Sequence, residues 1–294
     1  MKTITFFSEK GGVGKSSFSI MYASWLKHQH GLSVALADFN HRIAKYRNAE
    51  VRNRNKFIEK NPDAGAQPFD ENNTWPIYEA YLKEIDEIKD EGIQIPYAEW
   101  FKRAIKRENL DRYDVVLCDF PGSLDDGSYA QLLSQGLIRL TVIPTEKDEM
   151  TLASTLKLHN ILKKHDKNHC CFINKAQLGL KNFRNSYLTL GKRLTASGVP
   201  MLPDIVTYSE RMTTIDKVDI IRSTFGFPDF SRKEYENISD LGIENLFIDV
   251  TKELTKTDDL PGTPVTDLGF FVEKMQKKKD GRYFKGSSFP EYEI

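Results

Sequence analysis

A glycine-rich segment with two lysines and a hydroxyl group has the residue types and spacing that phosphate binding requires. It runs from Glu9 to Ser16 and reads Glu-Lys-Gly-Gly-Val-Gly-Lys-Ser. Glycines let the backbone curl so that several N–H groups point at one anion. Lys15 can reach the outer phosphates, and the Ser16 hydroxyl can hold Mg²⁺.

The elements on either side of this segment favour the same interpretation. An apolar strand pattern at Thr3 to Phe7 precedes it, and a helix pattern from Ser17 to Leu26 follows. A helix that starts at such a loop adds the positive end of its dipole to the attraction for phosphate. A chance glycine-rich turn would not bring the lysines, the hydroxyl group and both flanking elements together.

The loop resembles the deviant phosphate loop of the ParA/MinD family of dimerising ATPases. Glu9 replaces the first glycine of the general pattern G-x-x-x-x-G-K-[ST], and Lys10 adds a second lysine. The resemblance implies ATP and Mg²⁺ as cofactors and a homodimer on ATP binding, in which Lys10 reaches the partner's nucleotide. The implied nucleotide-binding residues in this segment are Lys10, Gly11, Gly12, Val13, Gly14, Lys15, Ser16 and Ser17.

Polar side chains follow three further predicted strands, and ligands in open α/β sheets bind at that edge. Asp38 ends the strand pattern at 33–38, Asp119 ends the one at 113–119, and Asn174 ends the one at 170–174. An apolar strand that ends in Asp is the usual second carboxylate of a phosphate-loop protein, which supports Mg²⁺ binding by Asp119. The alternative is a helix cap, for which Asp125 is better placed.

The resemblance also assigns roles around the loop. The segment Asp38-Phe39-Asn40 occupies the place of the family's first switch, which usually reads D-x-D, and the residues after Asp119 occupy the second. Asn40 replaces the Asp that orients the attacking water, so the expected activity is weak ATP hydrolysis. His41 is an alternative base, although a single surface histidine is usually only solvated. The implied catalytic residues are Lys10, Lys15, Asp38 and Asn40, and the implied metal ligands are Ser16, Asp38 and Asp119.

Three further residues complete the implied nucleotide site. The Gly122 N–H is expected near the γ-phosphate. Asn174 and Lys175 are expected at the purine, because an amide can both donate to and accept from adenine. A strand-end turn is the alternative role for Asn174.

Alternating strand and helix patterns predict an α/β fold, with a doubly wound, mostly parallel sheet and helices on both faces. We expect an ATPase domain at 1–256, with a helical insertion at about 41–110 that includes a helix near 77–91. A tail at 257–294, with an amphipathic helix pattern, is expected to dock on the domain rather than on a membrane.

Composition and charge exclude several classes of protein. The 294 residues carry 42 basic and 42 acidic side chains, so any nucleic-acid site must be a local patch. No apolar run is long enough to cross a bilayer, and the chain starts without a signal-peptide pattern. Three cysteines in apolar strand patterns predict buried thiols and a cytoplasmic location; they are Cys118, Cys170 and Cys171.

Three basic runs are candidates for binding nucleic-acid phosphates, or are simply solvated helix faces. The first run comprises Arg42, Lys45, Arg47, Arg52, Arg54, Lys56 and Lys60. The second comprises Lys102, Arg103, Lys106 and Arg107, and the third Lys274, Lys277, Lys278, Lys279, Arg282 and Lys285. Because ParA-type partition ATPases bind DNA as ATP dimers, the resemblance implies nonspecific DNA and a ParB-like protein as partners. It also implies plasmid partition or DNA segregation, including on a mobile element.

Two alternative functions use the same fold. A metabolic enzyme of the dethiobiotin synthetase or cobyrinate amidation type would use ATP to activate a carboxylate, and the sequence has no clear set of groups for such a substrate. An electron-transfer or cluster-assembly protein would need cysteines that bridge a dimer, and Cys170-Cys171 is too tight for the usual cluster spacing.

Overall fold

A seven-stranded parallel sheet lies at the centre of the molecule. The computed structural model describes residues 1–64, 68, 75–79, 96–176, 181–207 and 243–255. The strands are β1 Lys2–Phe6, β2 Val34–Asp38, β3 Ile77–Tyr78, β4 Val115–Asp119, β5 Leu140–Thr145, β6 His169–Ala176 and β7 Met201–Thr207. Their order across the sheet is β3-β2-β4-β1-β5-β6-β7.

Helices cover both faces of this sheet. Those described are α1 Lys15–His30, α2 Ile43–Lys60, α3 Tyr97–Arg107, α4 Asp126–Ser134, α5 Glu149–Lys164, α6 Lys181–Ala196 and α7 Ile243–Thr255. The central strands β1, β2, β4 and β5 are buried along their whole length, which explains their nearly continuous apolar sequences.

Two hydrophobic cores lie on opposite sides of the sheet. One contains side chains of α1 and α7, with Ile43 of α2. The other contains side chains of α3, α4, α5 and α6. The predicted fold class, a doubly wound parallel sheet with helices on both faces, is therefore confirmed.

The prediction of a helix near 77–91 is wrong for its first residues. Ile77 and Tyr78 form an edge strand that pairs in parallel with Leu36 and Ala37 of β2. The preceding Trp75 is fully buried and donates its Nε1–H to Ser24 Oγ at 3.0 Å. This anchored indole fixes the chain beside β2, so a long-range contact overrides the local helix pattern.

Trp75 also corrects one member of the first basic run. Arg47 is buried, lies over the Trp75 ring at 4.4 Å, and donates to the Trp75 carbonyl oxygen at 2.7 Å. It therefore supports the packing of α2 and is not part of a solvated cationic face.

Several expectations fall on residues outside the described part of the chain. They include the tail at 257–294 with its amphipathic helix, and the third basic run at 274–285. The domain boundary at 256 stays a prediction. Among the described helices, none combines the length and hydropathy of a membrane span.

Candidate nucleotide-binding site

The glycine-rich segment forms a tight loop between β1 and α1, as the sequence predicts. Gly14 caps the N-terminus of α1 with a left-handed backbone, φ 89°. A Cβ atom at Gly14 would lie 3.1 Å from the Phe18 ring and 3.4 Å from the Asn174 side-chain nitrogen. Both the backbone angle and the close packing therefore require glycine at position 14.

The side chain of Lys15 turns back into the glycine-rich loop. Its side chain is buried, and Nζ donates to the carbonyl oxygen of Lys10 at 2.8 Å. Burial lowers the pKa of Lys15, and the positive charge of Arg42 lowers it further. The negative charge of Asp119 acts in the opposite direction and raises this pKa. An anion in the loop would relieve both the desolvation and the repulsion from Arg42.

Ser16 and Asp119 meet at the floor of the site. The Ser16 hydroxyl lies 2.8 Å and 3.0 Å from the two carboxylate oxygens of Asp119. They come from elements 103 residues apart in sequence, the first turn of α1 and the end of β4. A hydroxyl and a carboxylate at this distance are a donor set that suits Mg²⁺.

The electrostatics of Asp119 favour a cation beside it. Its side chain is fully buried. Burial raises the pKa of Asp119, the hydrogen bonds from Ser16 and Asn40 lower it, and the charge of nearby Asp38 raises it; together they bring the pKa to about 7. A cation at this carboxylate would offset the cost of its buried charge.

Asp38 lies beside Asp119 but directs its carboxylate at the backbone. One oxygen accepts from Asn40 N–H at 3.1 Å and the other from Ala44 N–H at 3.0 Å, in the first turn of α2. Asp38 therefore holds the start of α2 in this structure. The Asn40 amide nitrogen lies 3.5 Å from Asp119 Oδ2, so Asn40 lies at the floor of the site, beside Ser16 and Asp119.

The segment after Asp119 packs directly on the phosphate loop. A Cβ atom at Gly122 would lie 3.0 Å from both the Glu9 carbonyl oxygen and Lys15 Nζ, so a side chain at position 122 would crowd the loop. The helix cap is Asp125, whose carboxylate accepts from Ser128 N–H at 2.9 Å. The assignment of the cap to Asp125 rather than Asp119 is confirmed.

Asn174 and Lys175 reach the loop from β6. Asn174 is buried, and its amide nitrogen donates to the Val13 carbonyl oxygen at 2.9 Å. Lys175 donates to the Gly12 carbonyl oxygen at 2.6 Å, from a backbone with φ 54°. Both side chains support the phosphate loop here, and their role at a purine stays a proposal.

Two acidic residues at the mouth of the site were missed from the sequence. Lys10 Nζ lies 2.5 Å from Asp148 and 3.8 Å from Glu146, and Glu146 also pairs with Lys175 at 2.7 Å. Burial alone would raise the pKa of Asp148, but hydrogen bonds from Lys10 and Thr151 lower it to about 2. Glu146 directly follows β5, so the strand-end pattern that identified Asp119 also marks it, whereas Asp148 is the N-cap of α5.

The cysteines are buried and free, as expected. Burial raises the pKa of the Cys118 and Cys171 thiols well above the ordinary range, which disfavours the thiolate that a metal cluster requires.

Several solved structures are similar to this chain over most of its length. A MinD cell division protein from Aquifex aeolicus has a TM-score of 0.55 and 16% identity, covering 90% of this chain and 100% of that one. A putative plasmid partition protein from Borrelia burgdorferi bound to AMPPNP has a TM-score of 0.51 and 19% identity, covering 83% and 99%. A ParA family ATPase from Chlorobium tepidum has a TM-score of 0.50 and 16% identity, covering 84% and 96%.

The fold is therefore that of the MinD and ParA phosphate-loop ATPases. No protein-family model and no curated protein sequence matches the chain. At these identities the likeness establishes the fold, and the function must be argued from the site.

Proposed function

We propose that this protein is an ATP- and Mg²⁺-binding switch of the partition-ATPase kind, which forms a homodimer when ATP is bound and hydrolyses ATP slowly. The contact of Ser16 with the buried Asp119, beneath a glycine-rich loop, carries the proposal. It joins the ends of two elements at the edge of the sheet where ligands bind.

The loop fits the phosphates of a nucleotide. Backbone N–H groups from Gly11 to Ser17 would surround them at the N-terminus of α1, with Gly122 close by. Lys15, whose pKa is lowered by burial, would exchange its hydrogen bond with the Lys10 carbonyl for one with the outer phosphates. The Borrelia protein bound to AMPPNP supports a triphosphate in a fold of this kind.

The floor fits Mg²⁺. Ser16 and Asp119 would hold the ion, with Asp38 behind Asp119 as a second negative charge. A bound Mg²⁺ supplies positive charge to the phosphate oxygens. Asp38 itself positions Asn40 and the start of α2 through backbone hydrogen bonds, which favours an indirect role for it.

Hydrolysis would depend on Asn40. Its amide lies beside Asp119 and can orient a water through its carbonyl oxygen, but it cannot take the proton as a carboxylate can. This supports slow turnover and an ATP-bound state that lasts.

Lys10 and Lys175 would act at the mouth of the site. Lys10 is half-buried and forms ion pairs with acids of its own chain. In the dimer it would exchange these ion pairs for contacts with the phosphates of the partner's nucleotide. Asn174 and Lys175, placed behind the loop, would border the purine. The resemblance to partition ATPases gives DNA and a ParB-like protein as the proposed partners of the ATP dimer, in the cytoplasm, in the partition of a plasmid or another mobile element.

ATP binding by a Lys15→Ala variant tests the nucleotide site. We expect affinity to fall about 100-fold or more, because the main cation for the outer phosphates is lost. Titration calorimetry measures this, with Lys27→Ala on the same helix as the matched control. Unchanged affinity in Lys15→Ala, with a melting temperature like that of the wild type, would refute the phosphate-loop assignment.

A further inference from the structure

Two consecutive charged residues open the phosphate loop, and both contact charged partners at α5. Lys10 pairs with Asp148, the N-cap of that helix. The carboxylate of Glu9 lies 3.0 Å from Nζ of Lys157, in the middle of the same helix. The proposed function gives a role to Lys10 but none to Glu9 or Lys157.

Glu9 brings a negative charge to a loop whose ligand would be an anion. It stands where the general phosphate-loop pattern has a glycine. A Cβ atom at Gly122 would lie 3.0 Å from both the Glu9 carbonyl oxygen and Lys15 Nζ, so Glu9 and Lys15 border the same space. A carboxylate at this position would repel the phosphates of a nucleotide unless a nearby cation offset its charge.

Lys157 is placed to offset that charge. Its Nζ lies 3.0 Å from Glu9 Oε1 and 2.9 Å from Asp126 Oδ2, so one ammonium group contacts two carboxylates. Hydrogen bonds to Asp126 and Glu9 raise the pKa of Lys157, which keeps the lysine charged. The side chain of Lys157 is 51% exposed and that of Glu9 only 28%, so water screens this pair only in part.

The same lysine also joins the phosphate loop to the segment that follows Asp119. Asp126 is the first residue of α4, directly after the helix cap at Asp125. A mechanical link between the loop and α4 would need both contacts of Lys157, whereas compensation of charge needs only the contact with Glu9. The two interpretations therefore differ in what the loss of the Asp126 carboxylate would do.

We propose that Lys157 is a positioning residue of the nucleotide site, which offsets the charge of Glu9 and holds its carboxylate against α5. This role rests on the proposed function, because it concerns the same loop and the same ligand. Lys157 acts on the nucleotide through Glu9 and not by direct contact. The effect of removing Lys157 must therefore depend on whether residue 9 carries a charge.

The test is a double-mutant cycle on ATP affinity, measured by titration calorimetry with Mg²⁺ at low salt. Lys157→Gln should weaken ATP binding about fivefold, because the carboxylate of Glu9 is then left without its cation. Glu9→Gln/Lys157→Gln should bind ATP within about twofold of Glu9→Gln, because no charge at residue 9 remains to be offset. The loss in Lys157→Gln should become smaller at high salt, which screens the charge of Glu9.

Three further variants separate compensation of charge from other effects. Lys157→Arg keeps the positive charge and should restore ATP affinity to within about twofold of the wild type. Lys164→Gln removes the same charge from an exposed position at the end of α5 and should leave the affinity unchanged. Asp126→Asn should bind ATP as well as the wild type or slightly better, because Lys157 still contacts Glu9.

Equal losses from Lys157→Gln with and without the charge at residue 9 would overturn the proposal, as would unchanged affinity in Lys157→Gln. A loss in Asp126→Asn as large as that in Lys157→Gln would also overturn it, in favour of the mechanical link. Melting temperatures show whether each variant folds, and Lys157→Met replaces Lys157→Gln in the cycle if the latter does not.

The wild type separates this role from the proposed function. If the wild type does not bind ATP, the proposed function fails, and the role of Lys157 fails with it. If the wild type binds ATP but the cycle shows no coupling between Glu9 and Lys157, only the role of Lys157 is refuted.

Discussion

The floor and the mouth of the candidate site differ in how their charges are satisfied. At the floor, Lys15 and Asp119 are buried and their pKa values are shifted towards the neutral forms. At the mouth, the side chains of Lys10 and Asp148 are 31% and 35% exposed and form an ion pair. The floor thus holds buried charges that a bound ligand would offset, whereas the charges at the mouth already pair with each other in contacts that exchange at little cost.

Exposed ion pairs are worth about 1 kcal/mol or less, so the mouth can release Lys10 to another anion. Buried charges are costly until a partner arrives, so binding at the floor should be strong. This difference predicts large effects of substitutions at the floor and smaller, state-dependent effects at the mouth.

The substitution Asp119→Asn should have the largest effect. The gain in ATP affinity on adding Mg²⁺ should be abolished, because the buried ligand for the cation is lost. The pKa of Asp119 is raised to about 7, so above pH 7 its ionised form destabilises the fold and a neutral amide removes that cost. Calorimetric scanning at about pH 8 should show a melting temperature higher by roughly 2–4 °C, the shift that 1 kcal/mol produces.

The control for this substitution is Asp125→Asn, which exchanges the same groups at an exposed helix cap. It should keep the Mg²⁺ effect and leave the melting temperature unchanged or slightly lower, because an amide also caps helices. An intact Mg²⁺ effect in Asp119→Asn would place the metal elsewhere.

The substitution Asn40→Asp should raise the rate of ATP hydrolysis by about tenfold or more, because a carboxylate can take a proton from the attacking water. Phosphate release under single-turnover conditions measures the rate. Asn48→Asp adds the same charge at an exposed site on α2 and should leave the rate unchanged. No increase in Asn40→Asp would mean that another group already orients the water.

Two substitutions at the mouth should act in opposite directions. Lys10→Ala should impair the ATP dimer while leaving ATP affinity of the monomer nearly unchanged. Asp148→Asn keeps the cap of α5 but weakens the contact that holds Lys10. The ATP concentration needed for dimerisation should therefore fall, by about fivefold or less. Dimers that form equally well in both variants, measured by sedimentation velocity, would remove Lys10 from the interface.

Local pattern was sufficient to predict most of this architecture. The apolar strands β1, β2, β4 and β5 are buried on both faces, so their sequences have no helical period that could mislead. The loop, Ser16 and Asp119 were predictable because parallel strands bring their ends to one edge.

The features of the fold and the site that the sequence did not predict depend on contacts between residues far apart in the chain. The strand at Ile77–Tyr78 exists because Trp75 inserts beside Ser24, and no local pattern encodes that contact. Arg47 looks like a surface cation in sequence but lies over the same indole. The acids that hold Lys10 come after β5, but no sequence prediction included them, and their pairing with Lys10 required the structure.

The most direct test of the account is the mass of the purified protein in solution with Mg²⁺ alone, with ADP and with ATP, measured by light scattering. We expect a monomer with Mg²⁺ alone and with ADP, and a dimer with ATP that is absent in Lys15→Ala. A monomer in all three conditions, in a protein that binds ATP, would contradict the switch and favour an enzyme that uses ATP on the same fold.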